Sequence, residues 1–518
     1  MDIAAATAAP IVGRVGPRNA SIMAQEFIPA HFGGPMTNNR SPFRSIFSPI
    51  QFVFCFLLGL YVMPLNAQTD SSWNGGTGNW SNSANWTPSS VPNNGGGTTY
   101  NVAIAALNSA VSLDVSTVTI NNLSLAASTS LSLDRNSLSL VSGTSTNNGT
   151  INNENGQIIN NSNSLFRNFG TLNNDGGGAQ LTNFGTLSNS GTIRTIGNVD
   201  SYGTLANSGT FFVADGVTTI HAGGTLNNTS TFGNGWFVGN NGTINNMSNS
   251  TFNNSFVLNN TGTINNMSAS SFSNGFSLTN EGAINNGSGA TFTNSQSFSN
   301  SGTFNNNGLF TNSGQVTITG VFNTSTNYTQ TAGSTQVNGT FATTSGAMID
   351  IQGGTLSGNG TINSNLVMSG TLIAGTPGNP LQLNINGDYT QTGSGTFIVG
   401  VSSTGNGMLN VSGAAVLDPG ALLDIQLADG FDPQNGTSYF ILDYGSETGT
   451  FTISDPFFNN GTQEWVITSY SGGDGDDIVL TAEAADPTAT PEPSTILLLG
   501  AGLLGMLGNA RKKATAGA

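Results

Sequence analysis

Four consecutive stretches decide the fold: GTINNMSNSTFNNSFVLNNT (Gly242–Thr261), GTINNMSASSFSNGFSLTNE (Gly262–Glu281), GAINNGSGATFTNSQSFSNS (Gly282–Ser301) and GTFNNNGLFTNSGQVTITGV (Gly302–Val321). Their opening glycines stand 20 residues apart. Aligned, the stretches give three apolar columns. One is Ile244, Ile264, Ile284 and Phe304. A second is Phe252, Phe272 and Phe292, slipping to Phe310. The third is Leu258, Leu278 and Phe298. Asn245, Asn265, Asn285 and Asn305 follow the first column. Degenerate copies of the same G-T-[IL]-x-N unit begin at Gly149, Gly170, Gly185, Gly203 and Gly224.

A period near 20 with three apolar points per unit predicts a β-solenoid. Each turn makes three short strands, each sending one large side chain inward, and stacking the turns gives one continuous core. With strands about 4.8 Å apart, Val102 to Gly375 corresponds to roughly 14 turns and a rod of some 65 Å. Asparagine suits the corners, because it tolerates left-handed backbone geometry, and stacked amides can pair along the axis. The units show no helical apolar stripe. The predicted class is all-β: a parallel β-helix (β-solenoid) with a C-terminal β-rich cap and a short C-terminal transmembrane helix.

Charge is scarce and lopsided. Between Gln68 and Glu492 there are 24 acidic residues against Arg135, Arg167 and Arg194, a net charge near −21 for that stretch. Such a surface does not bind nucleic acid by neutralising phosphates. Cys55 is the one cysteine, so neither a disulfide framework nor a cysteine-based metal site is expected. His221 is the sole histidine of the stretch.

The two ends point to export. Arg40 and Arg44 precede an apolar run, Ile50–Val62, and Leu65-Asn66-Ala67 follows. This is the pattern of a secretory signal peptide, read by the general secretion machinery, with cleavage expected between Ala67 and Gln68. The long lead suggests a translation start at Met36 or Met23. At the other end Pro491-Glu492-Pro493 precedes a 12-residue apolar run, Ile496–Leu507, and the basic cluster Arg511, Lys512 and Lys513. The run is short against the roughly 20 residues of a standard span, and the cluster would stay cytoplasmic.

This three-part tail resembles the PEP-CTERM sorting tail. The resemblance implies a bacterial protein that is exported, held transiently in the membrane and cut near the triplet by an exosortase, leaving it at the cell surface or outside the cell. It also implies a link to exopolysaccharide or biofilm.

The expected organisation is a leader and signal peptide (1–67), a Trp-rich N-terminal cap (68–100), the solenoid (101–375), a C-terminal β-domain (376–484), and a stalk with the sorting tail (485–518). The opening of the exported chain, with Trp73, Trp80, Trp86 and Pro92, is similar to the start of secreted bacterial solenoids with autotransporter-like repeats. Its tryptophans read as a cap over the first turn, with a sugar-stacking platform as the sharper alternative. In the C-terminal β-domain, Gly472–Leu480 fits one copy of the calcium nonapeptide G-G-x-G-x-D-x-U-x, making Asp474, Asp476 and Asp477 candidate ligands. A lone copy in a Gly- and Asp-rich chain is a weak match, and a tight acidic turn before a strand at Ile478–Thr481 is the favoured reading.

A polysaccharide lyase or glycosidase needs grouped acids or a base. The four clearest repeats hold one ionisable side chain, Glu281. The expectation is a non-catalytic, exported structural or adhesive solenoid without a cofactor. The rivals are a carbohydrate-active enzyme using acids among Asp424, Asp429, Asp432 and Asp443, and a carbohydrate-binding module on the tryptophans.

Overall fold

The computed structural model describes residues 67–344, 346–471 and 476–485. The signal peptide, the Pro491–Pro493 triplet, the apolar run and the Arg511–Lys513 cluster lie outside the described residues. Among the described residues no helix is long and apolar enough to cross a membrane; the expected tail helix lies outside them.

Each 20-residue unit forms one turn of three short strands, and each strand pairs in parallel with its counterpart one turn on. Ile244 pairs with Ile264, Ile264 with Ile284 and Ile284 with Phe304. Phe252, Phe272 and Phe292 follow suit on the second sheet, and the expected slip to Phe310 is present. Leu258, Leu278 and Phe298 stack on the third. From Thr98–Ile104 to Thr371–Thr376 the chain makes about 14 turns. All of these column residues are buried, each burial contributing about 1.5–3 kcal/mol before chain entropy. The phenylalanine column stacks face to face, with centroids 4.8–5.0 Å apart from Phe211 to Phe292.

Each strand sends in two side chains, not one. Strand alternation places Asn246 on the same side as Ile244, and Asn246, Asn266, Asn286 and Asn306 are fully buried. Their amides form an unbroken ladder beginning at Asn147, each Nδ2 donating to the Oδ1 one turn ahead at 2.6–2.8 Å. Two further buried ladders run at the other corners, from Asn234 to Asn312 and from Asn240 to Asn300. Each ladder needs a start: Asn240 follows Ile220 in register, so its buried Oδ1 has no donor.

The left-handed backbone expected of corner asparagines is present at Asn108, Asn155 and Asn249, and the Asn249 position recurs in the next two turns as Ala269 and Gly289. The repeat glycines answer to crowding: a Cβ at Gly262 would overlap the carbonyl oxygen of Gly242. Asn265 and Asn285 form a separate outer ladder of opposite polarity, donating backward at 2.8 and 2.9 Å.

Parallel stacking runs on beyond residue 375. Leu372 pairs with Phe397, Phe397 with Leu423, and Leu422 with Thr452. What changes is strand length: Met408–Leu417 spans two sheets in one strand. The rod then closes with antiparallel pairing among Ser438–Gly449, Asp476–Ala484 and Gln463–Ser471, an arrangement that covers the last parallel edge.

Candidate functional surfaces

The tryptophans are interior groups. Trp73, Trp80 and Trp86 are 4%, 0% and 1% exposed. Trp86 sits edge-on to both others, with centroids at 5.0 and 4.7 Å. Their indole N–H groups donate to the carbonyls of Gly76, Pro92 and Trp80. With ring faces covered and polar edges used, they cannot serve as a sugar-stacking platform, which corrects that alternative. Ala67–Trp73 lies parallel to Thr98–Ile104, and Trp86–Thr87 folds back on the outer edge at Ser72 and Trp73. Ala67 and Gln68, the expected cleavage pair, open this strand. The first turn is pinned to the next by Asp114, which accepts from the Ser81 amide at 2.8 Å and the Ser81 hydroxyl at 2.5 Å. Burial pushes its carboxyl up, but these bonds outweigh it and leave the pKa below the ordinary value.

The described part of the calcium-like segment, residues 476–480, belongs to an antiparallel strand. Asp474 lies outside the described residues. Asp476 and Asp477 pair antiparallel with Tyr444 and Asp443 on one side and with Ser471 and Tyr470 on the other. A nonapeptide roll takes its ligands from stacked parallel copies, and this pairing supplies no such neighbour.

The four acids of the enzyme alternative are spread out. Asp424 lies on the third sheet beside Gln426 and Ser454. Asp432 accepts from Asn459 at 3.4 Å. Asp429 is exposed at a turn, and Asp443 is on the first sheet. The arginines also separate: Arg194 pairs with Asp175 at 2.5 Å, Arg167 points outward from the first sheet, and Arg135 occupies a left-handed corner.

Two surface clusters were not expected from the sequence. His221 Nε2 meets Asp200 Oδ1 at 2.8 Å, and its ring stacks on Tyr202, which stacks on Phe184. Asp200 is 21 residues before His221, one turn away, a spacing that a repeat frame carried upstream would have shown. Trp236, Phe256 and Phe276 form a second exposed stack, with centroids 4.8 and 4.9 Å apart. Within each stack the inner rings spend their faces on their neighbours.

The model of the PEP-CTERM protein-sorting motif matches residues 489–512. No curated protein matches the chain. The matched span contains the Pro491–Pro493 triplet, the whole apolar run, and Arg511 and Lys512. A motif of this kind implies export, sorting to the surface and processing by an exosortase-type enzyme.

Proposed function

We propose that this chain is an exported, non-catalytic structural or adhesive β-solenoid, delivered to the cell surface or extracellular matrix and cut from its membrane tail by an exosortase-type enzyme. The general secretion machinery would take the leader, and Arg511–Lys513 would hold the tail until cleavage. The observation that carries the reading is the sorting motif at 489–512 placed directly after a rod with its own closing strands. The rod suits a scaffold: stacked turns make stability a sum over neighbours, and an extended, sparsely charged wall offers many weak polar contacts. The dispersal of Asp424, Asp429, Asp432 and Asp443 favours scaffold over catalyst, and an association with exopolysaccharide follows from the resemblance of the tail.

The reading is tested by surface labelling and fractionation of the native host with and without its exosortase. The expected result is protein in the surface or matrix fraction that becomes membrane-retained when the exosortase is lost. Equal fractionation in both strains would contradict it.

A further inference from the structure

A concavity of about 330 Å³ opens on the first sheet near the C-terminal closure. Thr361, Asn384, Asn410 and Asp443 line it as successive neighbours in register. Asn386 and Ser412 form a second column two residues further along the strands. The hollow has a local cause. The register shifts between Val411 and Ala414, where the Ala414 amide donates to Asp388 Oδ1 at 2.9 Å and the Gly413 amide to the Gly387 carbonyl at 3.0 Å. That bulge re-aims Ser412 at the rim.

The lining chemistry is specific. Three carboxamides, two hydroxyls and one carboxylate supply donors and acceptors side by side, which is what the hydroxyls of a sugar ring require. Asn410 Nδ2 donates to Asn384 Oδ1 at 3.0 Å, and Asn386 Nδ2 to Asn363 Oδ1 at 2.7 Å. These bonds hold the amides in place. Asn410 Oδ1 faces away from the opening, buried and without a hydrogen-bond partner, so the amide meets a ligand through its Nδ2 side. Four stacked residues at about 4.8 Å span roughly 14 Å, and the two columns are about 7 Å apart. That footprint is the size of a short extended oligosaccharide. Asp443, with Asp477 opposite it on the neighbouring strand, disfavours an anionic glycan.

We infer that this concavity binds a neutral saccharide segment, lying along the solenoid axis, with Asp443 accepting from its hydroxyls and the side-chain amides donating to it. The inference rests on the matrix reading only for its setting; binding is measured on the secreted protein whatever enzyme releases it. A single carboxylate in the lining fits holding a sugar and not cleaving one.

The test is calorimetric titration of the secreted full-length product with cellotetraose, laminaritetraose and mannotetraose, and separately with tetragalacturonate and with calcium chloride. At least one neutral tetrasaccharide binds, and Asp443→Ala weakens it about tenfold or more, which is ~1.4 kcal/mol. Asn386→Ala, at an exposed rim position, weakens it as well, and so reads the site even if Asp443→Ala misfolds. Asn285→Ala, on the outer ladder of the same sheet, leaves binding unchanged. Failure of all three neutral probes, binding only of calcium or tetragalacturonate, or undiminished binding by folded variants would overturn the inference. None of these outcomes alters the sorting result, so the two readings fail separately.

Discussion

Asn246 Nδ2 donates to Asn266 Oδ1 at 2.8 Å and, with its second proton, to the Ser271 carbonyl at 2.9 Å. One buried amide thus joins its own turn to the next through both side chain and backbone. Backbone N–H groups at the start of the strands donate the other way, as from Thr263 to Gly242. Every interior turn is therefore bonded to both neighbours, and a missing rung is felt on each side.

Replacing Asn266 with Ala should destabilise the rod by about 2 kcal/mol or more, because Asn246 loses an acceptor and Asn286 loses a donor inside the core. Asn265→Ala, one residue away on the outer ladder, should cost well under ~1 kcal/mol, since water replaces the lost bond. Urea midpoints of the two variants check the contrast; equal losses would show that the inner ladder has no special weight.

Phe272 lies between Phe252 and Phe292 at 4.9 and 4.8 Å. Phe272→Ala should cost about 3–5 kcal/mol, the range for a buried phenylalanine. Phe276→Ala, at a residue 48% exposed, should stay within about 1 kcal/mol. Amide exchange of the flanking strands separates them: the first variant speeds exchange in neighbouring turns and the second leaves it intact.

The N-terminal cap should loosen in acid. The Asp114 carboxyl is held below its ordinary value in the folded chain, so its contribution is present above the unfolded value, near 3.9. That contribution is lost as pH falls through the lower folded value. Fluorescence of the buried Trp80 and Trp86 followed below about pH 4 should change in the parent and much less in Asp114→Asn, whose cap is already weakened at neutral pH. Identical acid profiles would contradict the pinning role.

Most of the fold was legible because each apolar column is one chemical type at one spacing, so Ile244 and Ile264 align on period alone. The inner asparagines were also within reach: Asn246 is two residues from Ile244, and alternation places both on one side. Their burial was obscured because asparagine usually signals a turn. Trp80 could cap or bind, and only the covering of its ring by Trp86 decides. The concavity could not be read, since Asn384, Asn410 and Asp443 are separated by 26 and 33 residues. Longer loops there hide the period that made the central repeats plain.

The motif at 489–512 implies sorting to the surface and processing by an exosortase-type enzyme. The most direct measurement is the intact mass and C-terminal peptide of the protein recovered from its native host. The account predicts an end near Pro493 that is absent from a strain lacking its exosortase. A mature protein still carrying Arg511, Lys512 and Lys513 would contradict it.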